Sequence, residues 1–305
     1  MICARGPGRL RLGVIGMSKD NGHPYSWSAI INGYDRDAMA SCPFAAIPEY
    51  LGRQSFPKAA LSSAEVTHIW TQDRQVSEHI ARASLIPNVV DRLDSMVDVV
   101  DAVLLARDDA EHHLEYAEVF LRAGMPIYID KPLSLSRREA LRLFGMTQYS
   151  GQIFSCTALR YARELKMTSG RRKQTGDVRF IDAIVPKQWN TYAVHVIEPV
   201  LATFPETDQV VSHHHSSIDG ITQLSVVWNS GVQTRFTSTG TPGAAIAVTV
   251  YGTRGTARLT FRDSFSAFKA ALADFIVSAK SRTSVIPQEA TLKVVDLIEM
   301  GCIRS

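Results

Sequence analysis

The feature that most limits what this chain can fold into is the alternation of short apolar runs and helix-like stretches over its first 132 residues. Residues 10–15, 66–71, 97–105 and 127–129 read as buried strands. Residues 26–31, 76–83 and 110–123 read as helices, the last closed by Gly124 at a natural C′ position. Strands that alternate with helices pair in parallel and are covered on both faces, giving a doubly wound α/β sheet. Such sheets bind ligands beyond the carboxyl ends of their strands. The residues at those ends are therefore the first candidates for chemistry.

The first strand ends on Gly16 and passes through a polar loop before the first helix. Strand, glycine loop and helix is the order that presents backbone N–H groups and a positive helix end to a phosphate. The G-x-G-x-x-G spacing is broken, because Ser18 stands at the second position and Gly22 comes late for the third. An ordinary strand-to-helix turn explains the loop nearly as well. Residues 35–64, with Pro43, Pro48, Gly52 and Pro57, read as an insertion. The second strand leads to Gln72-Asp73-Arg74, where a carboxylate can hold ribose hydroxyls and repel a 2′-phosphate. Arg74 partly offsets that repulsion, so NAD is favoured with NADP left open. Asp73 also suits the N-cap of the following helix, and both roles are compatible.

The strand of residues 97–105 leads into Ala106-Arg107-Asp108-Asp109, with His112 and His113 in the first turn of the next helix. The strand through Ile129 ends in Asp130-Lys131-Pro132. Pro132 lacks an N–H and biases Lys131 to an extended backbone, which leaves an acid and an amine at the strand exit. An ordinary strand end with a solvated lysine is the plain alternative.

Past a helix beginning near Ser134 or Ser136, the texture changes. Residues 154–159, 178–185, 210–215, 222–228, 233–238, 245–251 and 256–261 are short β-like runs, with helices at 263–280 and 288–300. Seven strands with few helices indicate an α+β domain built on a large, mostly antiparallel sheet with one open face. The expected division is 1–132 for the first domain, 133–150 for a connecting helix and 151–305 for the second. Within the second domain, residues 192–201 fit a helix with His195 and Glu198 one turn apart on one face. Glu198 or a backbone carbonyl is expected to fix the His195 tautomer. No third ligand accompanies the pair, so no metal is expected. His213, His214 and His215 alternate across a strand, so only two share a face.

Two domains also suit a length of 305 residues. A net charge of +3 is too small to imply nucleic acid or an anionic membrane, and no apolar run approaches a membrane span. Residues 1–11 lack the apolar segment of a signal peptide. Cys3, Cys42, Cys156 and Cys302 are scattered without metal or redox spacing, which suits free thiols in a reducing cytoplasm.

Asp101-Ala102-Val103-Leu104-Leu105 through His113, Ala123-Gly124-Met125-Pro126, Asp130-Lys131-Pro132 and Val250-Tyr251-Gly252-Thr253-Arg254-Gly255-Thr256 together resemble the Gfo/Idh/MocA family, the glucose–fructose oxidoreductase and inositol dehydrogenase type. The resemblance spans nearly the whole chain. It implies a Rossmann domain holding NAD(P), a sheet domain holding a sugar or polyol, and hydride transfer between a carbinol and a ketone. Lys131 matches the lysine that hydrogen-bonds the reacting oxygen, and Asp130 replaces the usual glutamate. The family's D-x-x-x-H falls on Thr191 and His195, so the histidine is kept and the aspartate is not. Thr191 cannot act as a carboxylate, which leaves catalysis to Lys131 and His195, with Tyr192 as a possible acid. The cofactor contacts implied are Gly16, Ser18, Gly22, Asp73, Arg74, Ala106, Asp108, His113, Asp130 and Lys131. The substrate contacts are Lys131, Arg160, Tyr161, Thr191 and His195. A homodimer or homotetramer through the open sheet face, in the cytoplasm, completes the expectation. Ser18 and Thr191 also suit a catalytically inactive relative that keeps the fold, and a structural partner subunit is a third reading.

Overall fold

The computed structural model describes residues 8–302, so Cys3 lies outside the described residues. The chain divides into two compact units, each discontinuous in sequence. The first takes residues up to Asp130, Leu143–Ser155 and Leu272–Ile286; the second takes Lys131–Arg142, Cys156–Ala271 and the residues from Pro287.

In chain order the first elements are β1 (Leu10–Ile15), α1 (His23–Asn32), α2 (Arg36–Ala40), α3 (Ala46–Gly52), β2 (Ala64–Trp70) and α4 (Arg74–Ala83). They continue with β3 (Asn88–Val89), β4 (Ala102–Leu105), α5 (His113–Arg122), β5 (Ile127–Ile129), α6 (Arg137–Gly145) and β6 (Ile153–Phe154). The first sheet runs β3-β2-β1-β4-β5-β6, with every neighbouring pair parallel. Strand order therefore reverses between β1 and β4. Leu12, Val14 and Ile15 of β1, all of β4 and all of β5 are buried, as a sheet covered on both faces requires.

Two sequence expectations change here. Residues 97–101 are not strand: a 3-10 turn covers Leu93–Met96 and Asp98 adopts φ +75°, a left-handed conformation that a strand cannot hold. The run at 154–159 is not a strand of the second sheet either. Its beginning completes β6, the sixth strand of the first sheet, and Ala158–Tyr161 is a 3-10 turn.

The insertion at 35–64 has a structural task. Residues 24–31 of α1 are all buried, so this helix needs a cover on its outer side. Phe44 and Ile47 supply part of it. A Cβ at Gly22 would lie 2.5 Å from Ile47 Cδ1 and 2.7 Å from Phe44 Cδ2, so only glycine fits at the head of α1.

The second unit continues with α7 (Ser169–Thr175), β7 (Val178–Val185), α8 (Trp189–Tyr192), α9 (Val194–Thr203), β8 (Val210–Ile218), β9 (Ile221–Trp228) and β10 (Gln233–Ser238). Then come β11 (Ala247–Gly252), β12 (Thr256–Thr260), α10 (Ser264–Ser281), whose residues from Leu272 count with the first unit, and α11 (Gln288–Met300). Its sheet has six strands in the order β12-β11-β7-β10-β9-β8, antiparallel except for the β7–β10 pair. Ile181, Ala183, Leu224, Val226, Phe236, Val248 and Val250 point into a core shared with Val196, Ile197 and Val200 of α9 and Leu297 and Ile298 of α11. The alternate positions form a half-exposed face, where Arg235 grips Asp182 through two bonds of 2.9 and 3.0 Å. Among the described residues, no helix is long and apolar enough to cross a membrane, and no cluster of three or more His, Cys, Asp or Glu side chains is placed to hold a metal ion.

Candidate active site

In the first unit, the predicted cofactor residues gather at the carboxyl ends of β1, β2, β4 and β5. The order 3-2-1-4-5-6 puts its switch point between β1 and β4, where Gly16 and Ala106 follow the two strands. Ala106 N donates to Ile15 O at 2.7 Å and keeps the two exits side by side. Gly16 is needed for packing, because a Cβ there would lie 2.4 Å from Pro24 Cγ. Ser18 Oγ donates to Asp108 Oδ1 at 2.7 Å and accepts from Asp108 N at 3.2 Å, bridging the switch point.

The intervening Met17 is held through its main chain. Its N–H donates to Gln72 Oε1 at 2.8 Å, and its carbonyl accepts from Gln72 Nε2 at 3.0 Å and Arg107 Nη1 at 2.9 Å. Arg107 is 5% exposed, pairs with Asp109 and lies over the Tyr116 ring at 4.5 Å. His113 is fully buried, with Nε2 2.8 Å from the Arg107 carbonyl. Asp130 is also buried, and its Oδ2 accepts from Asn21 Nδ2 at 2.9 Å and meets His23 Nδ1 at 2.5 Å. Asp73 is the N-cap of α4: its Oδ1 accepts from Gln75 N at 2.8 Å and Val76 N at 3.4 Å, and it remains exposed. Arg74 is paired with Glu78 and Asp91, so much of its charge is already balanced.

In the second unit, Lys131, Tyr192 and His195 come together. Lys131 is 4% exposed, and its Nζ lies 5.8 Å from the centre of the Tyr192 ring. The Tyr192 and His195 rings meet edge-on at 4.9 Å. The step from α8 into α9 creates this contact, since it sets residues 192 and 195 about one turn apart. Thr191 lies half-buried on α8, one position before Tyr192.

Of the partners expected for the imidazole, Glu198 is replaced by Thr157. His195 Nδ1 pairs with Thr157 Oγ1 at 2.6 Å. Glu198 instead accepts from Thr157 N at 2.7 Å and pairs with Arg160 Nη1 at 3.4 Å. Burial pushes the Glu198 carboxyl up to about 7, against the opposing pull of Arg160 and the Thr157 N–H. Burial and the nearby Arg160 lower Lys166. Tyr161 ends the 3-10 turn that carries Arg160.

Sequence reasoning did not reach Asn21, His23, Gln72, Thr157 or Lys187. Lys187 stands at φ +61° with its carbonyl accepting from Gly240 N at 2.9 Å, and its Nζ lies 4.4 Å from the Tyr192 ring centre. For Asn21, His23, Gln72 and Thr157 the decisive partners are distant in sequence, so no local pattern marks them.

Residues 50–157 match the model of an oxidoreductase family with an NAD-binding Rossmann fold. Solved structures of the same fold include UDP-N-acetylglucosamine 3-dehydrogenase GnnA from Acidithiobacillus ferrooxidans, at 16% identity and TM-score 0.68, covering 96% of each chain. The apo scyllo-inositol dehydrogenase from Lactobacillus casei aligns at 12% identity and TM-score 0.71, over 97% of this chain and 96% of that one. The myo-inositol 2-dehydrogenase from Lactobacillus plantarum aligns at 13% identity and TM-score 0.68, over 95% of each. No curated protein matches the sequence.

The first unit has features that suit a nicotinamide dinucleotide, in keeping with the NAD-binding family model that matches it. The β1–β4 switch point is in place, and α1 starts there with no acidic residue in its first turn and no side-chain cap. An exposed carboxylate, Asp73, follows β2. Asp130 and His113 are buried and hydrogen-bonded within the protein.

Proposed function

We propose that this chain is an NAD(P)-dependent dehydrogenase or reductase acting on a CH–OH group of a sugar, sugar nucleotide or cyclitol. The observation that carries the reading is the convergence of a buried lysine, a tyrosine and a histidine in one unit, with Lys131 Nζ and the His195 ring both against Tyr192. The family-model match over residues 50–157 supports the redox class, and the dehydrogenases of like fold are named for inositols or a sugar nucleotide.

Gly16, Ser18, Gly22, Asp73, Ala106 and Asp108 would hold the dinucleotide, with the loop that follows Met17 and the head of α1 facing its phosphates. When bound, NAD(P) supplies the hydride acceptor or donor. The remaining work belongs to side chains of the second unit. Lys131 donates a hydrogen bond to the reacting oxygen and stabilises the negative charge that develops there. His195 exchanges the hydroxyl proton at Nε2, since Nδ1 is engaged by Thr157. Tyr192 keeps the two heads apart and shields them from water, and Arg160 and Tyr161 line the substrate side. In oxidation, the carbinol C–H leaves as hydride and its O–H proton passes to His195. Reduction reverses both transfers.

The test is a panel of cyclitols, sugars and sugar nucleotides assayed with NAD and NADP by reduced-nicotinamide absorbance. Turnover that disappears in Lys131→Ala supports the reading. A silent panel with intact nucleotide binding favours the catalytically inactive relative. That second reading is motivated by the Ser18–Asp108 bond at the switch point and by Thr191 beside the histidine. The half-exposed sheet face, with Tyr251 42% exposed, supports assembly into a homodimer or homotetramer, which light scattering measures directly.

A further inference from the structure

His195 has an imidazole nitrogen turned toward a residue that nothing in its local sequence selects. Thr157 is fully buried, lies just past β6 and directs Oγ1 at His195 Nδ1 across 2.6 Å. We infer that Thr157 is the positioning residue of the His195 imidazole, and that Glu198 holds Thr157 in place through its main chain. This inference rests on the proposed role of His195 in proton exchange.

Two bonds besides the one to His195 fix the threonine. Its N–H donates to Glu198 Oε2 at 2.7 Å, and Glu198 is anchored by Arg160. Its Oγ1 accepts from Leu159 N at 3.3 Å, which sets the side-chain rotamer at the head of the 3-10 turn. A hydroxyl carries one proton and two lone pairs, so after Leu159 it keeps one of each. It can donate to a bare Nδ1 or accept from an Nδ1–H. The imidazole therefore keeps its partner in the neutral and the protonated state, and any proton exchanged with a substrate passes through Nε2. A hydroxyl adds no net charge, so it orients the ring without the extra stabilisation of imidazolium that a carboxylate provides. Glu198, one turn after His195 on α9, ties the helix to the 157 main chain and so sets the spacing of the pair.

The test compares wild type with Thr157→Val and Thr157→Ser. Nitrogen NMR of the His195 ring reads the pairing without any substrate. In wild type and Thr157→Ser, Nδ1 has the shift of a hydrogen-bonded nitrogen; in Thr157→Val it reverts toward that of an unpaired imidazole. With a substrate in hand, Thr157→Val lowers kcat by roughly tenfold or more and displaces the pH profile, with nucleotide affinity unchanged and activity rescued by serine. Identical nitrogen shifts in wild type and Thr157→Val overturn the inference, whether or not the enzyme turns over. A silent substrate panel beside the expected shifts removes the dehydrogenase reading and leaves the pairing standing. If valine impairs folding, Thr157→Ala substitutes for it, with the same reversion of Nδ1 expected and unchanged shifts overturning the inference. Glu198→Ala removes the acceptor of Thr157 N: a weakened Nδ1 signature in the folded variant supports main-chain anchoring by Glu198, and an unchanged one counts against it.

Discussion

The loop after β1 and the head of α9 are built on opposite principles. At Met17 the main chain is pinned by side chains from the exits of β2 and β4, namely Gln72 and Arg107. Gly16 N and Met17 N are both taken, by Trp70 O and Gln72 Oε1, so what this loop offers a ligand is set by chain path and the helix end more than by residue type. At α9 the main chain is helix, and the proposed chemistry lies in side chains packed on one another: Lys131, Tyr192, His195 and Thr157. On this reading the first arrangement should tolerate Ser18 where glycine is usual. The second depends on particular atoms, so single substitutions should separate the two regions sharply.

The largest separation is expected at Lys131. Lys131→Ala removes the donor to the reacting oxygen, and turnover should fall by roughly 10²–10⁴-fold. Nucleotide affinity, measured by titration calorimetry, should be nearly unchanged. Equal loss of both would merge the regions and make Lys131 a structural residue.

Next in size is the buried carboxylate. Glu198 is raised from 4.5 to about 7, so the unfolded chain releases this proton at lower pH than the folded one. Its contribution to stability is therefore complete below 4.5 and is lost as pH rises through about 7. The difference amounts to about 3 kcal/mol. Urea unfolding below and above neutrality measures it, and Glu198→Gln should flatten that pH dependence. A slope unchanged in the variant would assign it to other groups.

This comparison also explains what the sequence made legible. The parallel alternation, the strand exits at Gly16, Asp73 and Lys131, and the helix with His195 and Glu198 all follow from periodicity and turn residues. Residues 154–159 did not, because a two-residue parallel strand such as Ile153–Phe154 is defined by its partner, Ile127–Tyr128, rather than by its own pattern. The Thr157–His195 pair spans 38 residues and Thr157–Glu198 spans 41, beyond the reach of helical spacing. Helical register correctly put His195 and Glu198 one turn apart, but the carboxylate turned to a main-chain N–H and a guanidinium instead of the ring. Asp130 was legible as a strand-end acid, while its partners Asn21 and His23 were not, since a loop in a different βα unit supplies them.

A smaller effect tests the first region by itself. The Cβ of Gly16→Ala would lie 2.4 Å from the Pro24 ring, which is rigid and buried. Overpacking of this kind costs about 1–3 kcal/mol, read as a lowered Tm. Because α1 must shift to make room, nucleotide affinity should fall along with stability. Ser18→Ala, which leaves the chain path alone, should change affinity far less. A large loss in Ser18→Ala would show that this loop too acts through a particular side chain.

The smallest expected effect is the most discriminating, because Asp73 stands in both kinds of role. Its Oδ1 caps α4, and removal of the cap in Asp73→Ala should cost about 1 kcal/mol. Asp73→Ser keeps an acceptor for the α4 N–H groups and removes only the charge. If the carboxylate holds ribose hydroxyls, the serine variant should match wild type in Tm, bind NAD more weakly and gain relative affinity for NADP. Arg74 does not mask the result, as Glu78 and Asp91 already balance it. Should the serine variant bind both nucleotides as wild type does, Asp73 is a helix cap alone, and cofactor choice at the β2 exit rests on the main chain.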